Sequence, residues 1–300
     1  MISRKNFIKQ ASLLSTILLV SPGCMTKPSS SPTRKVGLQL YSLREFIGND
    51  VEGVIEKVAK AGYQEVETYG YNAKDHFWGL NPKDFNSLLK ANNLVSPSGH
   101  YDLGSFLSKE TSEDDLKRTV DEYTEAALAI GQEYIIVPWL DPEMRTSIDD
   151  YKHIAEKINR VGEELKKSNL QLGYHNHDFE FEDYDGQNGY DILLAETDKE
   201  NVIMELDLYW VVRSNKDAGQ LFADHPGRFN LWHVKDMDKL TPALNTEVGS
   251  GSIDFKAIFQ HAKLSGLKYL YVEQENFAID PYTSITTSVD YIKSSLLKEI

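Results

Sequence analysis

Residues 170–177 read Leu170-Gln171-Leu172-Gly173-Tyr174-His175-Asn176-His177, a short apolar run that ends in two histidines. The same form recurs three times further along. Residues 201–204 lead into Glu205-Leu206-Asp207, residues 228–231 into Trp232-His233-Val234-Lys235-Asp236, and residues 268–272 into Glu273-Gln274-Glu275. Each run has the length of a strand. Each ends in imidazoles or carboxylates, the ligands of hard and borderline divalent cations.

Working outward from these runs, eight strand candidates emerge: 36–41, 64–68, 94–100, 133–138, 170–175, 202–207, 229–234 and 269–273. Helical patterns lie between them at 51–61, 82–91, 113–130, 148–167, 190–196, 217–224, 254–264 and 282–297. Asp50, Asn81, Ser112 and Ser252 stand at or near helix starts, where their side chains can cap free N–H groups. Gly62, Gly131 and Gly266 stand where helices should stop. The joints are uneven. Helix-to-strand joints are short, as at Gly62-Tyr63, Asn92-Asn93, Gly131-Gln132 and Ser168-Asn169. Strand-to-helix joints are long: 69–81, 101–112, 139–147, 178–189, 235–252 and 274–281. A parallel barrel builds its site from the loops after its strands and needs only tight turns at its other end. The pattern predicts an α/β protein, a single (β/α)8 TIM barrel over residues 35–300. All four polar clusters would then open onto one mouth.

The chain has 300 residues, 41% hydrophobic, with a net charge of -14. An acidic surface repels nucleic-acid phosphates and anionic membranes, and it disfavours a strongly phosphorylated substrate. Residues 1–24 read as an export signal. Arg4, Lys5 and Lys9 precede an apolar run at 13–20 that is too short to span a bilayer. Gly23 before Cys24, the only cysteine, resembles a bacterial lipoprotein cleavage site, and residues 3–9 resemble a twin-arginine signal with Lys5 in place of the second arginine. The expectation is an exported protein, periplasmic or anchored to the membrane by a lipid on Cys24. Residues 25–34, rich in Ser, Pro, Thr and Lys, read as a flexible tether. With Cys24 lipidated, no thiol remains for a disulfide or for catalysis.

On a strand of period two, Glu205 shares a face with Asp207, His233 with Lys235, Glu273 with Glu275, and His175 with His177. A carboxylate at a barrel mouth is costly unless it is paired or binds metal. For Asp207 the competing role is a helix start before Leu208-Tyr209-Trp210; for Lys235 it is a surface pair with Asp236. Glu273, nearer its apolar run, should lie deeper than Glu275. Of His175 and His177, one can bind while the other moves protons. Glu180 follows in the loop. Gln39, Tyr41, Glu65, Glu67 and His100 come from the first three strands, and Trp139, Trp210, Tyr101 and Phe77 are candidate faces for a sugar ring. Each residue has an ordinary packing role open to it; four strands ending alike point to a shared metal site.

These residues carry a resemblance. Residues 37–44 (Gly37-Leu38-Gln39-Leu40-Tyr41-Ser42-Leu43-Arg44), Tyr174-His175-Asn176-His177, Glu205-Leu206-Asp207-Leu208-Tyr209-Trp210, His233-Val234-Lys235-Asp236 and Tyr271-Val272-Glu273-Gln274-Glu275 together resemble the xylose-isomerase-like barrel superfamily of sugar isomerases and epimerases. That superfamily also includes inosose dehydratases and AP endonucleases. The resemblance implies one divalent ion, often Mn, Mg, Co or Zn, with His175, Asp207, His233 and Glu273 as ligands. One position departs: many of the epimerases have Glu where His175 stands, and the fifth strand is closer to the inosose dehydratases.

The activity implied is that of a metal-dependent isomerase or epimerase. It would act on a small non-phosphorylated sugar or keto-sugar through a metal-stabilised enediolate. Glu273, Glu180 or His177 would move protons, while Lys235 and His100 stabilise charge on oxygen. The alternatives are a dehydratase, lyase or hydratase on a 3-keto-sugar or inosose, and a non-catalytic sugar-binding lipoprotein. A nuclease is the least suited to so acidic a chain.

Overall fold

The structure is a computed structural model, and it describes residues 34–300. The expected export signal and nearly all of the tether lie outside the described residues. Arg34, assigned to the tether, donates from Nη1 to the carbonyls of Leu267 (3.1 Å) and Lys268 (2.8 Å).

Eight parallel strands close into a barrel: β1 Gly37–Gln39, β2 Glu65–Thr68, β3 Val95–His100, β4 Tyr134–Val137, β5 Gln171–His175, β6 Val202–Asp207, β7 Leu231–Val234 and β8 Tyr269–Val272. Each expected strand is present, trimmed by a residue or two at most ends. The register aligns His175 with Glu205 and Asp207 with His233, so the strand-end clusters lie at one height. The floor of the barrel is filled by Tyr134, Ile136, Ile203, Leu231 and Tyr271. Room there depends on glycine: a Cβ on Gly37 would sit 2.3 Å from the Tyr271 ring, and one on Gly173 would sit 2.4 Å from Ile136 Cδ1.

The helices form where local signals put them. Asp50 accepts from Gly53 N and starts Val51–Ala61; Gly62, at φ 104°, ends it. Asn81 caps Pro82–Ala91, and Ser112 caps Glu113–Ile130, which Gly131 terminates at φ 82°. Three expectations need correction. Asp254, rather than Ser252, caps the last-but-one helix by accepting from Ala257 N. That helix breaks into Phe255–Phe259 and Ala262–Ser265, because His261 N bonds back to Ile258 O and tightens the turn. The final helix is regular over Pro281–Tyr291 and widens into a π turn at Ile292–Leu296. A short helix, Leu208–Arg213, starts directly at the end of β6. The long loop after β7 carries a two-stranded ribbon, Asp236–Met237 against Asn245–Thr246. Among the described residues no helix is long and apolar enough to cross a membrane.

Candidate active site

The four strand ends meet. One ligand-competent atom from each of His175, Asp207, His233 and Glu273 lies within 4.8 Å of the others, and all four side chains are buried. A second overlapping group, His100, His175, Glu205 and His233, satisfies the same distance.

Asp207 has both of the roles that the sequence left open. Its Oδ1 accepts from Tyr209 N (2.8 Å) and Trp210 N (3.1 Å) and so starts the helix Leu208–Arg213. Its Oδ2 is buried without a hydrogen-bond partner. A buried orphan oxygen is costly unless something bonds it. Burial pushes the Asp207 carboxyl up to about 7, against the pull of Lys235. Burial, then the adjacent Glu67, does the same to Glu205, also to about 7. Two carboxyls pushed up by burial, one of them with an orphan oxygen, and the imidazoles between them form a donor set that fits a divalent cation.

Lys235 is fully buried and lies between Glu273 (3.3 Å to Oε2) and Glu275, with its ammonium 5.3 Å from the Trp210 ring. Burial would lower its pKa, but Glu273, Asp207 and Glu275 outweigh that and raise it. In return Lys235 and His233 hold Glu273 well below the usual carboxylate range despite its burial. Asp236 does not pair with Lys235. Its carboxylate accepts from the backbone N–H groups of Met237, Gly249, Gly251 and Ile253, and so pins the loop after β7.

His100 and His177 flank the cluster. His100 Nε2 lies 2.7 Å from Glu205 Oε2 and 3.3 Å from Glu67 Oε2. Burial opposes its protonation, but those two carboxylates outweigh it and raise its pKa. His177 stacks on Phe179 and meets Trp139 edge-on at 4.9 Å. Burial, then Lys235, pushes it down to about 3, so it is a neutral imidazole. Burial and His233 also depress His175 well below the ordinary histidine value.

Glu180 stands elsewhere. It is fully buried and does not line the cavity; it accepts from Tyr174 OH and from His177 N, both at 2.8 Å. Burial pushes it up to about 8. Its place is under the loop after β5, where it fixes the backbone of His177.

Above the cluster lies a cavity of about 510 Å³, walled by Tyr41, Tyr69, Trp139 and Trp210 and reached by His100, His175, His177, Glu273 and Glu275. Of the four expected sugar-stacking aromatics, Trp139 and Trp210 line it. Phe77 is packed against Phe85, and Tyr101 is buried with its hydroxyl on Gln132. Tyr41 and Tyr69, edge-on at 5.1 Å, take their place. Glu65 is at the opposite end of β2, near Lys35. Gln39 lies deep, donating to Glu67 Oε2 at 2.7 Å. Sequence reasoning named Glu67 and Glu205 without a role; they prove central, and Glu205 carries the same period-two signal as Asp207. Asn176, whose Oδ1 accepts from Asp207 N at 3.0 Å, had no recognisable signal.

Comparison with known proteins agrees with this geometry. A family model described as xylose isomerase-like TIM barrel matches residues 55–295. An inosose dehydratase from Clostridium perfringens is 24% identical over 257 residues, 76% of this chain and 83% of that protein. An inosose dehydratase from Lacticaseibacillus casei is 22% identical over 284 residues, 83% of this chain and 92% of that one. A solved sugar phosphate isomerase/epimerase from Parabacteroides distasonis superposes with a TM-score of 0.76 at 26% identity, covering 90% of this chain and 96% of its own. With a closed eight-stranded barrel and a family model matched over most of its length, the chain belongs to the xylose isomerase-like TIM barrel family.

Proposed function

We propose that the protein is a divalent-metal-dependent enzyme of the isomerase/epimerase type. It removes the proton beside a carbonyl of a small, non-phosphorylated sugar or keto-sugar. The observation that carries this reading is the convergence of His175, Asp207, His233 and Glu273 beneath an aromatic-walled cavity. A divalent cation held by these four supplies Lewis acidity to a carbonyl and its neighbouring hydroxyl. Glu273 stays ionised through Lys235 and His233 and reaches the cavity, where it accepts the carbon-bound proton. Lys235 keeps its charge but does not line the cavity; its ammonium, 3.3 Å from Glu273 Oε2, acts by holding that carboxylate ionised. His100, between Glu205 and the cavity, stabilises negative oxygen from the β3 side. Neutral His177 offers a hydrogen bond rather than a charge. No Lys or Arg is among the cavity-lining residues, whereas Asp102, Asp178 and Glu275 are, which supports a substrate without phosphate.

A second reading, elimination of water from a 3-keto-sugar or inosose, has its own support. The β5 side of the cavity has two imidazoles, and Glu180, the carboxylate expected there, is turned away. A base on one side and an imidazole on the other suit loss of a hydroxyl better than proton exchange between two carboxylates. The relatives described as inosose dehydratases point the same way.

Incubation of metal-loaded protein with keto-sugars in heavy water, followed by NMR, separates the readings. Solvent deuterium on carbon without net water loss identifies isomerisation or epimerisation; an unsaturated product identifies elimination. Sugar binding with neither outcome, unchanged in Asp207→Asn, sinks the enzyme reading and leaves a binding protein. Export and lipidation at Cys24 are part of the proposal. Palmitate labelling abolished by Cys24→Ser is expected, and a full-length chain found in the cytoplasm would overturn them.

A further inference from the structure

The cavity over the cluster has a neighbour. Asp178 lines it and also lines a groove of about 670 Å³ on the other side of the helix Leu208–Arg213. That helix is the partition between the two spaces. Trp210 lines the cavity, while Val212 and Arg213 line the groove. Residues two apart on a helix point about 200° apart, so one short helix presents a wall to each side. The partition starts at the cluster itself, because Asp207 Oδ1 accepts from Tyr209 N and Trp210 N. The groove therefore opens beside the reacting position, with only the exposed Asp178 at the shared rim.

The side chains of the groove suit a ring of hydroxyls. Arg213 donates from Nη1 to Pro242 O at 2.9 Å, which leaves Nη2 and Nε without a bond among the described residues. Asp178 and Glu182 supply carboxylate oxygens, and the hydroxyl of Ser214 has no hydrogen-bond partner. Val212 and Met237 add apolar surface. Neighbouring hydroxyls match a guanidinium fork and a carboxylate edge, and the C–H face of a pyranose packs on apolar side chains. One cation against two carboxylates does not suit a phosphate or another anion. A single pyranose over the cluster leaves all of this to water.

We propose, resting on the cavity being the reacting site, that the groove is a subsite for a second sugar ring. The substrate is then a glycoside rather than a free monosaccharide. Its keto ring lies over His175, Asp207, His233 and Glu273, its glycosidic bond crosses the rim at Asp178, and its second ring meets Arg213, Glu182 and Ser214. The rival position for a second ring is the opposite rim, where Trp139 and Tyr41 are 40% and 38% exposed.

The test uses the metal-loaded full chain and the 3-keto forms of glucose, maltose, cellobiose and trehalose. kcat/KM is measured for wild type, Arg213→Met, Ser214→Trp and Trp139→Ala. Ser214→Trp fills the groove; Arg213→Met keeps the stem and removes the fork. The readout is the ratio between the best disaccharide and glucose, which a loss of folded protein does not move. Wild type should prefer at least one disaccharide by about tenfold, the scale of one hydrogen bond to a charged group. Both groove variants should bring the ratio near one. A wild type that turns over 3-keto-glucose with equal or higher kcat/KM than every disaccharide overturns the proposal. So does a preference that survives both groove variants; its loss in Trp139→Ala would place the second ring on that side instead. If no keto-sugar reacts, the enzyme reading fails and calorimetry with the same sugars decides the subsite. Tighter disaccharide binding that Ser214→Trp abolishes keeps it, and equal binding of glucose and disaccharides overturns it.

Discussion

The floor and the mouth of this barrel are built on the same strands and have opposite chemistry. On β6 the inward side chains run Ile203, Glu205, Asp207; on β7, Leu231, His233, Lys235; on β8, Tyr271, Glu273, Glu275. One side-chain step, about 7 Å along a strand, passes from hydrocarbon to charge. Both layers are buried except at Glu275, which is partly exposed at the rim. Burial stabilises the floor, where apolar area leaves water, and strains the mouth, where carboxyls are pushed up to about 7. Stability and chemistry are thus separated by height on a strand rather than by domain.

The separation is broken most sharply at Asp207. In Asp207→Asn the remaining carbonyl still caps Tyr209 and Trp210, while the orphan oxygen becomes an NH₂. The fold should survive, with turnover and cation binding down by about 100-fold or more, read by kinetics and calorimetry. Equal loss of melting temperature and activity would show that the two layers are not independent.

The converse change is Leu231→Ala on the floor. A fully buried leucine removed from a packed barrel costs about 2–5 kcal/mol, measured by denaturant unfolding. Cation affinity well below the melting temperature should stay near wild type. A large drop would mean that the floor sets the geometry of the mouth.

The smallest effect, at Glu180, sharpens the comparison through pH. Its carboxyl lies near 8 in the folded chain against an ordinary 4.5, so the folded state keeps a proton that the unfolded state has released. Its contribution therefore falls as pH rises from about 4.5 to about 8. Glu180→Gln has no such proton, and its melting temperature relative to wild type should rise between pH 5 and pH 9. A constant difference would show that burial does not control this group.

Much of the fold was legible because its signals are local. Asp50, Asn81 and Ser112 each cap a helix within three residues of themselves, and Gly62 and Gly131 end helices by adopting positive φ. The mouth residues were legible because period two and strand ends are local too. Glu180 misled because it follows the motif His175–His177 closely, yet a loop residue's direction depends on what packs above it. Tyr101 and Phe77 misled for a related reason: nothing local separates an aromatic that walls a cavity from one packed beside Gln132 or Phe85.

By itself the sequence determined the barrel and the single mouth onto which its polar strand ends open; the choice of one residue from each strand end came from the family resemblance. Alternation, capping and loop length act over a few residues and survive any detail of packing. Only the tertiary structure decided which carboxylates meet which histidines. His233 meets Glu67 across 166 residues and His100 meets Glu205 across 105. Such pairings arise from barrel closure, which brings strands from opposite halves of the chain within hydrogen-bond reach.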